Sequence, residues 1–146
     1  MSTVSAIISG KGKKVLTIDR DSSVFEAIQT MVQANVGSLI VTHGDAICGI
    51  FTERDYLRRI VLEGRTSKDT PVIEVTTERL VVVDPARSID ECMSMMTSER
   101  IRHLPVIDDG KLVGLVSIGD LVKHLSRERE AEIRYLTEYI SGKYPG

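Results

Sequence analysis

Gly49-Ile50-Phe51-Thr52-Glu53-Arg54-Asp55 is answered further along the chain by Gly114-Leu115-Val116-Ser117-Ile118-Gly119-Asp120. Apolar residues replace apolar residues, while a glycine, a hydroxyl and an aspartate keep their places. Working outward, residues 15–60 slide onto 80–125 without a gap. Asp19 falls on Asp84, Glu26 on Glu91, Met31 on Met96, Leu39 on Leu104 and Val41 on Val106. One structural unit is therefore used twice, and each use ends in the same polar group.

Each copy reads strand, helix, strand, strand, helix. In the first, residues 15–18 form a short strand. Ser22 or Ser23 caps a helix whose apolar face is Val24, Ala27, Ile28, Met31 and Val32. Strands at 38–42 and 47–51 flank the turn His43-Gly44-Asp45-Ala46, and a second helix is expected over 53–62. The second copy repeats this order: a strand at 80–83, a helix at 89–99, and strands at 104–107 and 112–116 around Asp108-Asp109-Gly110. Its final helix runs past the repeat to Ile140 and stops near Gly142. The stripe Ile133, Leu136 and Ile140, with Tyr139 beside it, must pack on the chain's own body or across a dimer. Pro71 opens a short helix through Val75, and residues 5–9 are the matching entry segment of the first copy. The expected class is α/β (α+β), with copies at 1–70 and 71–146.

At 146 residues, with 42% apolar and 27% charged side chains, the chain is long enough for one good core. A net charge of −2 leaves no footprint of a nucleic-acid or anionic-membrane binder. No apolar run reaches the ~20 residues needed to span a bilayer. The N-terminus lacks a basic stretch followed by a long apolar one, so a cytoplasmic protein is expected, with organelle import left open. The two cysteines, Cys48 and Cys92, read as small buried hydrophobes without a ligand-spaced partner, and no metal is expected.

The repeated heptapeptide carries the chemistry. A buried strand ends at Thr52 or Ser117 and a helix begins there. Ser/Thr-x-x-Asp is also the pattern of a capping box, in which both side chains satisfy amides of their own helix. Three features reach past capping. The motif recurs in register, it follows a glycine that leaves room above the sheet, and it gathers a hydroxyl, helix-terminal amides and a carboxylate at one corner. Helix N-termini suit phosphate, and an ionised aspartate accepts from both hydroxyls of a ribose. Phosphate and ribose together point to a nucleotide.

Here the chain resembles a pair of CBS domains, the family named after cystathionine β-synthase. The resemblance covers nearly the whole chain, including residues 3–9, Arg100-Ile101-Arg102-His103-Leu104-Pro105-Val106 and both closing motifs. It implies a pseudo-two-fold pair whose sheets face each other and leave two clefts for adenosine-containing ligands: AMP, ADP, ATP, NAD or S-adenosylmethionine. By resemblance, Asp55 and Asp120 would hold ribose, and Thr52 and Ser117 would contact phosphate. Arg54 and Gly119, inside the closing motifs, are further phosphate candidates. Lys14, Val15, Thr17, Thr77, Leu80, Val82 and Ile118 would bracket adenine. The basic pair Arg102-His103 would reach phosphates where the first copy has Gly37-Ser38, so the first site is expected to be weaker or to borrow that pair. Relatives often form homodimers, and some stand-alone pairs act on thioredoxins.

Three function classes follow: a nucleotide-sensing regulator, a ligand-free dimerisation scaffold, or a nucleotide-processing enzyme. The chain shows no nucleophile with a base, no metal triad, no P-loop and no Gly-x-Gly-x-x-Gly. The expected protein is a sensor and not an enzyme.

Overall fold

Residues 2–11 and 15–140 are described in a computed structural model of the chain, and their elements run α1 (Val4–Lys11), β1 (Thr17–Asp19), α2 (Val24–Ala34), β2 (Ser38–His43), β3 (Ala46–Thr52), α3 (Glu53–Tyr56), α4 (Ile89–Glu99), β4 (His103–Asp108), β5 (Lys111–Ser117) and α5 (Ile118–Ile140). A π-helical turn, Leu57–Val61, prolongs α3, and a 3-10 turn spans Val72–Val75. No helix among the described residues is long and apolar enough to cross a membrane.

The described part of Lys14–Val82 forms one compact unit. Its sheet has the order β1-β2-β3, with β1 parallel to β2 and β2 antiparallel to β3. Ser23 caps α2 by accepting from the Glu26 amide, and Asn35 closes the helix in the left-handed conformation (φ 55°). Val24, Ala27 and Met31 of α2 are buried with Leu39, Val41, Phe51 and Ile60. Ile28 is only half-buried and Val32 is 73% exposed, so the apolar stripe is narrower than its spacing suggests.

The described parts of Met1–Lys13 and Val83–Gly146 form the other unit. Here β4 pairs antiparallel with β5, and the register shifts between Val106 and Ile107, as it does between Val41 and Thr42 in the first copy. The turn carries Asp109 and Gly110 at φ 51° and 75°, the two positive values that a type I′ hairpin needs. Ser88 and Glu91 make the capping box of α4, whose Ile89, Cys92 and Met96 are buried.

Two expectations need correcting. The strand expected at 80–83 survives only as a bridge between Val83 and Val106, the counterpart of Ile18 and Val41. In the first copy the ladder continues through Ile40 N–H to the Leu16 carbonyl (3.3 Å) and Arg20 N–H to the Thr42 carbonyl (2.8 Å). The matching residues are Pro105 and Pro85, which have no N–H to donate, so the ladder is cut on both sides.

The division at residue 70 also fails, because each copy is completed by the segment that precedes the other. α1 leads the first copy, yet its Val4 and Ser5 amides donate to the Arg87 and Pro85 carbonyls (both 2.9 Å), and Val4 and Ile7 are buried. Residues 71–77 precede the second copy but belong to the first. Val72 donates to the Ser22 carbonyl at 2.7 Å, and Val72 and Val75 are fully buried in that core. Pro71 stands at the cap of this short turn, with ψ 139°, one place before its first helical residue.

Candidate functional site

In the first copy, β3 delivers Thr52 to the start of α3. Thr52 Oγ1 accepts from the Asp55 amide (3.2 Å), while Asp55 Oδ2 accepts from the Thr52 amide (3.0 Å) and hydroxyl (3.1 Å). The Glu53 amide is taken by the Gly37 carbonyl at 3.1 Å. Asp55 Oδ1 accepts from the Thr77 hydroxyl at 3.0 Å, and the Asp55 residue is only 8% exposed. Thr52, Asp55 and Thr77 are therefore brought together. Arg54 lies exposed on α3. Val15 is half-buried before β1, and Thr17 is exposed on β1 opposite Ile40. Lys14 lies outside the described residues, and Leu80 and Val82 belong to no strand.

The second copy repeats the junction on a longer helix. Asp120 Oδ2 accepts from the Ser117 amide (2.9 Å), Ser117 Oγ accepts from the Asp120 amide (3.1 Å), and the Arg102 carbonyl takes the Ile118 amide (2.8 Å). Gly119 between them is exposed, and an added Cβ there would meet nothing nearer than Ser117 Oγ at 3.7 Å. His103 pairs across the hairpin with Ser117, as Ser38 does with Thr52. Arg102 is exposed and, among the described residues, its guanidinium has no acidic partner. Arg102, His103, Ser117, Ile118, Gly119 and Asp120 thus share one corner.

The motif glycines do not leave the open room read from the sequence. A Cβ on Gly49 would sit 2.4 Å from the Thr77 carbonyl oxygen and 2.6 Å from the Thr76 methyl. Ile50 and Thr77 exchange both amide–carbonyl bonds at 3.0 Å. At Gly114 the occupant is Ile8 of α1, 3.0 Å from an added Cβ. Thr76 and Ile8 were the residues that sequence reasoning missed. The signal was the glycine itself, which marks close approach by any chain, the protein's own included. The Thr76 carbonyl also holds Arg59 Nη1 at 3.3 Å.

Among the described residues no three His, Cys, Asp or Glu side chains could hold a metal ion. Burial pushes the Cys92 thiol up, away from thiolate reactivity, and Cys48 is half-buried.

Fold and corner together define a tandem α/β repeat with a capped strand–helix junction in each copy. A family model described as CBS domain matches residues 6–62 and 72–127, and the chain belongs to the CBS domain family. It is 41% identical to a mitochondrial CBS domain-containing protein of Arabidopsis thaliana, over 98% of this chain and 74% of that one. A CBS domain-containing protein of Bacillus subtilis is 36% identical over 79% of this chain and 82% of its own length. A solved putative signal-transduction protein with CBS domains from Burkholderia ambifaria is 47% identical, with TM-score 0.83, covering 85% of this chain and 93% of that one.

Proposed function

We propose that this CBS pair is a regulatory sensor for an adenosine-containing ligand (AMP, ADP, ATP, NAD or S-adenosylmethionine), with the second-copy corner as its principal phosphate site. The carrying observation is that corner's composition: Ser117, Gly119 and Asp120 on one junction with Arg102 and His103. Arginine offers a forked pair of donors to phosphate, and the exposed Gly119 puts no side chain over the corner. The first copy has Gly37 and Ser38 instead of the basic pair, with Arg54 as its candidate cation. The first site is accordingly the weaker one. A signal-transduction relative supports a regulatory reading, and a mitochondrial one supports organelle import as an alternative to the cytoplasm. The reading includes a homodimer through the exposed Ile133 and Leu136 of α5, and a regulated partner of the thioredoxin class.

The ligand-free scaffold is the second reading, favoured by the use of both aspartates as helix caps. Melting curves decide between them. A ligand at a hundredfold excess over Kd stabilises the folded state by ~2.7 kcal/mol, which raises Tm by roughly 2–4 °C per kcal/mol. The expected result is a shift with at least one adenosyl ligand that Asp120→Ala reduces more than Asp55→Ala. Arg102→Ala should weaken AMP and ATP far more than adenosine. No shift with any of the five ligands establishes the scaffold instead, and steady turnover of nucleotide establishes an enzyme.

A further inference from the structure

We propose that Thr77 is a ligand-exchangeable latch on the first corner, its hydroxyl holding the Asp55 oxygen that a ribose diol needs. The latch rests on the adenosyl-ligand reading above and deepens it, because it names the protein group that must yield for the first site to fill. A vicinal diol donates two hydrogen bonds to a carboxylate. Asp55 is one acceptor site short of that: of its roughly four lone-pair sites, Oδ2 spends two on the Thr52 amide and hydroxyl, and Oδ1 spends one on Thr77. Giving up the Thr52 side would uncap α3. Giving up the Thr77 side costs one hydrogen bond from a half-buried residue, so Thr77 is the partner that yields.

Thr77 can yield without its main chain moving. Its main chain is pinned to Ile50 by two 3.0 Å bonds, and its carbonyl lies where only a glycine at position 49 leaves room. The exchange is then a rotation about χ1 between staggered positions. The occupied carboxylate also favours ligands that bring two hydroxyls over those that bring one or none.

The test uses the full chain carrying Asp120→Ala, which removes the second corner's diol acceptor, with Thr77 unchanged or as Thr77→Val or Thr77→Ser. Each protein is titrated calorimetrically with AMP and with 2′,3′-dideoxy-AMP. Valine keeps the shape but leaves Asp55 Oδ1 without its donor before binding, so AMP should bind about tenfold tighter. Thr77→Ser should match threonine, and dideoxy-AMP should gain nothing. Equal or weaker AMP binding by Thr77→Val, or the same gain for the dideoxy analogue, overturns the latch while the nucleotide site stands. Should the valine variant not fold, three-bond couplings to the Thr77 methyl carbon in the wild type report χ1. An unchanged rotamer with AMP bound overturns the latch, and a change with AMP but not dideoxy-AMP supports it. Absence of AMP binding in every protein, wild type included, overturns the nucleotide reading and the latch with it.

Discussion

At Gly49 a β-carbon would meet backbone, whereas at Gly114 it would meet the far end of a flexible isoleucine side chain. The two glycines occupy the same place in the motif, yet their tolerance should differ. Gly49→Ala must displace a doubly hydrogen-bonded backbone bridge and should cost about 3 kcal/mol or more, while Gly114→Ala asks Ile8 to shift by tenths of an ångström and should cost about 1 kcal/mol. Thermal melts of the two variants should differ by several degrees, and equal losses would refute the assignment of Thr77 as Gly49's neighbour. The polar half of the motif was fully legible: hydroxyl and carboxylate stand at the corner as their spacing requires. Spacing also offered the capping use of the carboxylates, but not the partner that Asp55 finds outside its own helix. Both turn back to cap their own helix, and Thr77 reaches Asp55 from far along the chain.

Helix α4 matches its expected span because two signals agree, the Ser88–Glu91 box at its start and apolar residues at helical spacing behind it. The Arg87 guanidinium, 3.0 Å from Glu91, together with Ser88 holds the Glu91 carboxyl below its usual 4.5. A depressed pKa lends stability that is present above pH 4.5 and is lost as pH falls through the folded value. Glu128 adds to the same window through hydrogen bonds from Ser2 and His124. Tm should therefore drop on acidification below about pH 4.5, and Arg87→Ala should flatten that drop. The strand at 80–83 was misread because its apolar run, Leu80-Val81-Val82-Val83, was weighed without its partners. Pro105→Ile restores the missing donor. Its amide should donate to the Val81 carbonyl, as Ile40 does to Leu16, and become protected from hydrogen exchange, with little change in Tm. The new bond adds ~0.5–1.5 kcal/mol, while the lost proline constraint removes ~0.4–1. An unprotected amide there would show that the prolines are not what cuts the ladder. The helix expected over 53–62 keeps one α-turn before widening into Leu57–Val61, which leaves Leu57 exposed.

The repeat made the two-copy architecture plain, but chain order concealed which flank completes which copy. A boundary drawn at residue 70 strips Val72 and Val75 from the first core. Each is worth ~1.5–3 kcal/mol when fully buried, a large part of the ~5–15 kcal/mol that holds a domain folded. A fragment of residues 15–82 should therefore melt cooperatively by circular dichroism, whereas residues 1–70 should not. Cooperative folding of the shorter fragment would show that the 3-10 turn is dispensable. The exchange of flanks also sets an order of events during synthesis. Everything that residues 15–82 need has left the ribosome once the 3-10 turn emerges, so that half can close early. α1 is made before its partners and must wait, with Val4 and Ile7 uncovered, until β5 and α5 have been translated. For the length of that delay the nascent chain carries a sticky leader, which invites a chaperone or a wrong partner.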